Sequence, residues 1–401
     1  MKKILVIPDS IWGSESGHRS TQFLLKELSK IDLKVAVFSS ANGINQSNYN
    51  FLENNNISFF SKKPYRFFDQ IFNHFALKEF KKVLKSFNPD HVMYFGAINN
   101  KVFTEYLKKI KISYSYLPLT TEYYCLKDFA GLEEGTCYKC INGNYFHALK
   151  NKCLPNKRQH ITLIKKSIER IKSKKRILNA DRIIAYSNSQ LDVLKKYGAN
   201  TKNAIKTPIF FNAEHLNEIT SIKGDYFVVI GQCTTAKGWH HIPDVIRKTK
   251  NVKFKLIIYK HETADNFIKK YKIGDLVKKG AVEIVSALEK HSDVLRVIAN
   301  SRAVIVPSIY PTTGEFSLLE SLGLSKPVIV FDAGIHKEIF IDKHNALISR
   351  IGDTNKMSND ISQLSKDDML WQSLSLEGKK TFDELINFKD FKKSFINIFN
   401  N

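Results

Sequence analysis

The sequence predicts an α/β protein with two Rossmann-like domains, each built on a parallel sheet. The chain has 401 residues, more than one compact core usually holds. Short, fully apolar segments such as KILVI and KVAVF alternate with amphipathic segments at helical spacing, which is typical of a parallel sheet covered on both faces. The alternation weakens between Thr201 and Asp225 and then starts again, which indicates a linker.

The first domain is predicted to span residues 1–210. Its strands are expected in the segments KILVI, KVAVFSS, HVMYFGA, ISYSYLPL and RIIAY. A helix should follow the last of these, because Ser187 opens a capping sequence and Gly198 closes the apolar pattern.

The second domain is predicted to span residues 211–380. Its strands are expected in YFVVIGQ, KFKLIIYK, VEIVSA, AVIVPS and PVIVFD, with helices between them, one of which carries Glu320. Residues 381–401 are expected to form a C-terminal helix that packs back on the first domain.

The composition favours an anionic partner, since the formal net charge is +23. Two stretches concentrate the basic residues, Lys62 to Phe87 and Lys157 to Arg176. They are either solvated amphipathic helices or surfaces that dock on an acidic membrane. We found no zinc-finger, RNA-binding or helix-turn-helix pattern, so nucleic acid is not an expected partner.

The N-terminal apolar run is broken at Pro8–Asp9, and no apolar run reaches the roughly 20 residues of a membrane span. We therefore expect a cytoplasmic protein, which the basic stretches would hold at the inner face of a membrane.

Three loops follow predicted strands, where ligands bind in open parallel sheets. They are Gly13–Ser20, Gly231–His240 and the segment from Pro307 to the Glu320 helix. Small residues in the first loop let a backbone approach a phosphate, and Lys237 in the second places an ammonium there. Each loop alone also fits an ordinary surface turn.

Glu320 lies on an otherwise apolar helix. A carboxylate among apolar groups must be paired or used, because burial without a partner is costly. The vicinal hydroxyls of a sugar are suitable partners, and the free N–H groups at the start of this helix would face a diphosphate. The alternative is a plain surface glutamate.

Four of the five cysteines fall within 29 residues, at Cys125, Cys137, Cys140 and Cys153. This spacing could close a tetrahedral structural zinc site within an insertion at about residues 125–153. Unligated thiols and an iron–sulfur cluster are the alternatives.

Together these segments resemble retaining glycosyltransferases of family 4, the "group 1" transferases with the GT-B fold. The resemblance rests on the Gly/Ser loop at Ser14–Gly17, ADRIIAYSNSQLDVLKKYG, GQCTTAKGW, AVIVPS and GEFSLLESLGLSKPVIVFDAG, in that order. It covers most of the chain and is densest from Gly224 to Gly334. The cysteine-rich region also resembles the corresponding region of many group 1 transferases.

The resemblance implies a GT-B enzyme whose two domains face a central cleft. It would move a sugar from a nucleotide sugar to a glycan or lipid-linked glycan, with retention and without a catalytic metal, in surface polysaccharide synthesis. The implied donor-binding residues are Ser16, Gly17, Gln232, Lys237, Gly314, Phe316, Ser317, Leu318 and Glu320. Glu320 would bind the ribose and Lys237 the diphosphate.

The sequence departs from the family pattern at three places. The family's first Glu falls on Thr312, its Arg falls on Gln232, and the usual His after a middle strand is missing. Glu315 and Glu122 are the nearest acidic groups, so Glu315, Glu122 and Thr312 are the candidate catalytic residues. These departures leave a second hypothesis open, a non-catalytic GT-B protein that binds a nucleotide or glycan and supports a partner enzyme.

Overall fold

The computed structural model describes residues 1–8, 11–12, 16–40, 44–62, 74–96, 101–127, 129–154, 159–258, 263–286, 288 and 290–399. The chain divides into two compact units. The first comprises 1–129, 138–211 and 388–401, and the second comprises 130–137 and 212–387.

The first unit is built on a parallel sheet. Its strands in the described residues are β1 (Lys2–Pro8), β2 (Leu33–Ser40), β3 (Ile57–Lys62), β4 (His91–Phe95), β5 (Ser113–Leu117), β8 (Arg182–Ala185) and β9 (Ile205–Lys206). Their order is β3-β2-β1-β4-β5-β8-β9. The central strands are buried on both faces, which explains why they are apolar at nearly every position.

Helices cover this sheet. They are α1 (Ser16–Ser29), α2 (Gln46–Asn54), α3 (His74–Phe87), α4 (Lys101–Lys109), α5 (His147–Lys150), α6 (Gln159–Leu178), α7 (Asn188–Tyr197) and α16 (Phe388–Ile396). As predicted, Ser187 caps α7 by accepting a hydrogen bond from Gln190 N, and Gly198 ends it with φ +98°. Phe391 and Phe395 of α16 pack against Phe210 within the same unit.

The second unit holds a six-stranded parallel sheet of described residues. Its strands are β10 (Tyr226–Ile230), β11 (Lys253–Ile257), β12 (Val282–Val285), β13 (Ala303–Val306), β14 (Val328–Phe331) and β15 (Leu347–Ser349), in the order β12-β11-β10-β13-β14-β15. A two-stranded antiparallel hairpin, β6 (Gly131–Leu132) and β7 (Gly135–Thr136), belongs to the same unit.

The helices of the second unit pack around this sheet. They are α8 (Ile242–Lys248), α9 (Ala264–Tyr271), α10 (Gly274–Lys278), α11 (His291–Ala299), α12 (Phe316–Gly323), α13 (His336–Ile339), α14 (Thr354–Leu364) and α15 (Asp368–Leu385). The core includes Trp239, Phe227 and Phe254, with Met357 and Leu374 from the last two helices.

The predicted α/β class with two parallel sheets is confirmed. The prediction divided the chain at 210/211 and 380/381, and the compact units divide at 211/212 and 387/388. The cysteine-rich insertion was assigned wholly to the first domain, but residues 130–137 form the hairpin of the second unit because they pack against its loops. The predicted loop Gly13–Ser20 is also shorter, since α1 begins at Ser16.

Part of each predicted basic stretch lies outside the described residues. For the stretch from Lys62 to Phe87, the structure describes Lys62 and α3, and for the stretch from Lys157 to Arg176 it describes α6. None of the helices in the described part of the chain has the length and apolar character that crossing a bilayer requires.

Candidate functional site

The loops after three neighbouring strands of the second unit bring charged side chains together. Lys237 ends a one-turn helix (Thr235–Lys237) that follows β10. Glu315 follows β13 as the N-cap residue of α12, and His336 begins α13 after β14. Because β10, β13 and β14 are adjacent and parallel, their carboxyl ends share one edge of the sheet.

Two glycines allow these loops to approach one another. Gly238 has φ +70°, and a Cβ atom there would lie 1.8 Å from the carbonyl oxygen of Pro307. Gly334 has φ +54°, and its Cβ would lie 2.2 Å from the backbone nitrogen of Thr312. A side chain at either position would therefore separate the loops that carry Lys237, Glu315 and His336.

Lys237 and Glu315 form a buried ion pair. Lys237 Nζ lies 3.4 Å from Glu315 Oε1 and 3.3 Å from the Tyr310 hydroxyl, and it also sits over the Tyr310 ring. Burial would raise the pKa of the Glu315 carboxyl, but Lys237 and His336 outweigh burial and hold that pKa well below its usual range. Burial would lower the pKa of Lys237, but Tyr310 and Glu315 raise it overall. Both groups are therefore charged at neutral pH.

His336 completes this cluster and is fully buried. Its Nδ1 lies 3.0 Å from the carbonyl oxygen of Phe331, so Nδ1 must donate. Its Nε2 lies 3.1 Å from Oε2 of Glu315, and a proton is needed between these two atoms. His336 thus links the loop after β14 to the second carboxylate oxygen of Glu315.

The N-terminus of α12 adds further positive character. The Glu315 side chain makes no capping hydrogen bond to the first turn, because it turns toward Lys237 and His336. The first N–H groups of a helix lack intrahelical acceptors, so those of Phe316, Ser317 and Leu318 point out of its N-terminal end. This arrangement suits an anion such as a phosphate.

Glu320 is buried in the same helix, with 1% of its surface exposed. Its Oε1 lies 2.7 Å from Nε2 of His291 and 3.7 Å from Nε2 of His215. The carboxylate on this apolar helix thus has polar partners from two other elements, as burial of a charge requires.

The remaining predicted residues of this unit lie in the same loops. Thr312 is buried, and its hydroxyl accepts a hydrogen bond from the Gly314 N–H at 3.3 Å. Gln232 is exposed after β10, and its carbonyl oxygen accepts a hydrogen bond from Thr234 N. Gly314 has φ +114°, which turns the chain into α12.

Three predicted residues belong to the first unit. Ser16 and Gly17 form the first two positions of α1, and the carbonyl oxygen of Gly17 accepts a hydrogen bond from Thr21. Glu122 lies in a turn after β5, where its N–H donates to the Thr120 hydroxyl. The roles predicted for these three residues stay predictions.

The four clustered cysteines are distributed over both units. Cys137 belongs to the second, whereas Cys125, Cys140 and Cys153 belong to the first, and none forms a disulfide. Cys140 and Cys153 pack in one small apolar cluster with Leu126 and Tyr145. A structural zinc at the four cysteines stays a prediction.

The hairpin β6–β7 packs on the turn that carries Lys237. A Cβ atom on Gly131 would lie 2.7 Å from Cα of Ala236, and His240 contacts the carbonyl oxygen of Glu133. The Thr136 hydroxyl donates to the carbonyl oxygen of Ile309 at 2.8 Å. Part of the cysteine-rich insertion therefore supports the Lys237 loop.

Sequence reasoning missed Tyr310, His336, His215 and His291. His336 could have been found, because it closely follows a predicted strand whose loop lies at the same sheet edge as Lys237. The two other histidines carry no such signal, since only tertiary packing brings them to Glu320.

Most of the second unit is similar to a known family of enzymes. Residues 214–381 match the sequence model of the family described as "Glycosyl transferases group 1". This segment is therefore similar to group 1 glycosyltransferases. It contains Lys237, Glu315, Glu320 and all three histidines that contact the two glutamates.

A curated relative from Methanocaldococcus jannaschii, described as an uncharacterized glycosyltransferase, is 29% identical over 214 residues. The match covers 50% of this chain and 54% of the relative, so the alignment spans about half the length of that protein.

Two solved structures show the fold of the whole chain. Anabaena HepE in complex with UDP-glucose superposes with a TM-score of 0.66 at 12% identity and covers 100% of both chains. WaaG, a glycosyltransferase involved in lipopolysaccharide biosynthesis, gives a TM-score of 0.62 at 11% identity and covers 99% of this chain and 100% of its own. At such identities the likeness shows the fold alone, which is GT-B, as predicted.

Proposed function

We propose that the protein is a glycosyltransferase that moves a sugar from a nucleoside diphosphate sugar to a glycan or lipid-linked glycan. The observation that carries this proposal is the buried cluster of Lys237, Glu315 and His336 beside the open N-terminus of α12, in the segment that matches group 1 glycosyltransferases. Anabaena HepE, which has the same fold, was solved with UDP-glucose, and this supports a nucleotide-sugar donor.

The diphosphate of the donor would bind at this cluster. Lys237 supplies one cation, and the N–H groups of Phe316 to Leu318 supply hydrogen bonds. His336 contacts the other carboxylate oxygen of Glu315 and fixes its position. Glu320 would accept hydrogen bonds from the ribose hydroxyls. The Ser16–Gly17 backbone would add contacts to the phosphates.

The same cluster would lower the barrier for departure of the nucleoside diphosphate. Negative charge grows on the leaving diphosphate in the transition state, and preorganised positive groups stabilise this charge. Glu315 is ionised and contacts Lys237 with one oxygen and His336 with the other, so we assign it the role of holding both side chains in place. In a reaction with retention, the leaving phosphate itself can accept the proton of the acceptor hydroxyl. Glu122 and Thr312 would contact the acceptor or the transferred sugar.

The acceptor is proposed to be lipid-linked because α6 presents an exposed apolar stripe. Ile161, Ile164, Ile168 and Ile171 are 44–66% exposed and follow helical spacing, so they share one face. Lys165, Lys172 and Lys175 are exposed along the same face. An apolar stripe edged by lysines is typical of a helix that lies in an anionic membrane surface.

Surface polysaccharide synthesis is the process that such an enzyme would serve. Nucleotide sugars are spent there on acceptors held at the membrane, and a basic face would keep the enzyme beside them. The role of WaaG, a protein of the same fold, in lipopolysaccharide biosynthesis supports this assignment.

The test is a turnover assay with a panel of UDP-, ADP- and GDP-sugars and membrane extracts that contain lipid-linked glycans. We expect release of one nucleoside diphosphate that depends on both donor and acceptor. Tight nucleotide binding without turnover on any acceptor would favour a non-catalytic binding protein, the alternative that Thr312 and Gln232 leave open.

A further inference from the structure

Two histidines, His215 and His291, converge on the buried carboxylate of Glu320, so that three side chains able to ligate a metal meet. His215 lies in the one-turn helix Glu214–Leu216, His291 begins α11, and Glu320 lies in α12. One ligand atom of each lies within 4.8 Å of the others. Among the described residues, this is the one group of three or more His, Cys, Asp or Glu side chains whose ligand atoms all lie within 4.8 Å of one another. It contains no cysteine.

The spacing of the ligand atoms is close to that of a tetrahedral site. Metal bonds of about 2.0–2.1 Å place neighbouring tetrahedral ligands about 3.3 Å apart. The two imidazole nitrogens lie 2.7 and 3.7 Å from Oε1 of Glu320, values that bracket this separation. Small side-chain rotations would therefore admit an ion between the three groups.

The chemistry of the donor set selects the kind of ion. Two imidazoles and one carboxylate suit Zn²⁺ and similar first-row ions, whereas Mg²⁺ and Ca²⁺ prefer oxygen ligands. Glu320 is held rigidly in a buried helix, while the side chains of His215 and His291 are 29% and 38% exposed. An ion can thus enter past the partly exposed His291, whereas Nε2 of His215 is buried, and water can complete the coordination.

We propose that His215, His291 and Glu320 form a binding site for a zinc-class divalent ion, separate from the clustered cysteines. Binding replaces the direct contact between His291 and Glu320. A metal-bound Glu320 cannot also receive the ribose of a donor, so ion and donor should exclude one another. This last consequence rests on the proposed function, whereas the metal site does not.

The test is calorimetric titration of the full-length protein with ZnCl₂ at neutral pH, without nucleotide. The wild type is compared with the double variant His215→Ala/His291→Ala. The matched control is His344→Ala, which removes an exposed histidine that lies 3.9 Å from Glu377. The cysteines are the same in all three proteins, so any zinc that they bind contributes equally to the three stoichiometries.

We expect the wild type and the control to bind one more equivalent of zinc than the double variant. Equal stoichiometry and affinity in all three would overturn the proposal. Removal of both histidines leaves the buried Glu320 carboxylate with fewer polar partners, so the double variant should melt at a lower temperature than the wild type. A cooperative melting transition above the temperature of the titration verifies that it is folded.

A second titration, of a nucleoside diphosphate with and without zinc, tests the exclusion. Zinc should weaken nucleotide binding to the wild type but not to the double variant. If the extra zinc binds and nucleotide affinity is unchanged in both, the exclusion is wrong. If no nucleoside diphosphate binds even without zinc, the proposed function fails, while the zinc stoichiometry still decides the metal site.

Discussion

The Nε2 atom of His336 lies 3.1 Å from Oε2 of Glu315, on the side of the carboxylate away from Lys237. Glu315 thus holds one nitrogen group on each oxygen, Lys237 Nζ on Oε1 and His336 Nε2 on Oε2, in a buried environment. This relationship predicts that Glu315 is required for the fold of the second unit as well as for its chemistry.

Replacement of Glu315 by Gln should destabilise the protein. The neutral amide leaves Lys237 without its counter-charge and changes the contact with His336, and loss of one partner of a buried pair costs about 3–5 kcal/mol. Urea denaturation measures the loss. The control is Glu283→Gln, whose salt bridge to Lys255 is exposed; it should cost at most about 1 kcal/mol. Similar stabilities for the two variants would contradict the description of the cluster.

Stability should depend on His91 at acidic pH. His91 is buried between the hydroxyls of Ser113 and Ser115, and burial, with a smaller contribution from Arg182, lowers its pKa to about 3. Between that value and the ordinary pKa of about 6.5, the unfolded chain binds the proton and the folded one does not. The free energy of unfolding should therefore fall as pH drops through this window, by about 1.4 kcal/mol per pH unit at most.

Urea denaturation of the wild type, His91→Asn and His160→Asn between about pH 7 and pH 4 measures this slope. His160 is an exposed histidine of the same unit. In the His91→Asn variant, the slope of the free energy of unfolding against pH should decrease by up to the contribution of about one proton. The His160→Asn variant should keep the slope of the wild type. Parallel pH profiles for all three proteins would show that His91 does not titrate as described.

The exposed face of α6 should bind anionic membranes. Ile164→Ser/Ile171→Ser should weaken binding to phosphatidylglycerol vesicles by at least about tenfold, because each isoleucine loses the burial of its apolar side chain in the interface. The control pair Ile222→Ser/Ile341→Ser changes two exposed isoleucines of the second unit. Vesicle co-sedimentation measures the effect. If both double variants bind as tightly as the wild type, α6 is not the membrane contact.

The four clustered cysteines should hold one zinc ion per chain. Cys137→Ser/Cys140→Ser should lose that zinc, because two of the four thiolates disappear. The control is Cys233→Ser, which lies outside the cluster and should retain it. Elemental mass spectrometry of the dialysed proteins measures the content. A wild-type protein without zinc would end this hypothesis.

Much of the fold was predictable because buried parallel strands need apolar residues at every position. β1, β4, β10, β13 and β14 are of this kind. The strand β3 was missed because its sequence ISFFSK includes polar residues. The hairpin strands have two residues each and carry no periodic signal.

The candidate site was predictable only where it follows a strand. Lys237 and Glu315 were found in this way, but the ion pair between them was not, because it depends on how closely Gly238 lets two loops approach. The contacts of Glu320 with His215 and His291 join elements far apart in sequence, and no local pattern specifies them.

The central claim is that the second unit binds the nucleoside diphosphate of a sugar donor through Lys237 and Glu320. It is tested most directly by calorimetric titration of the wild type, Lys237→Ala and Glu320→Gln with a panel of nucleotide sugars, with Lys278→Ala, an exposed lysine of α10, as control. We predict that at least one nucleotide sugar binds the wild type and the control, and that each site variant loses about 1.5–3 kcal/mol of binding free energy. Absence of binding to the wild type, or equal binding to all four proteins, would contradict this account.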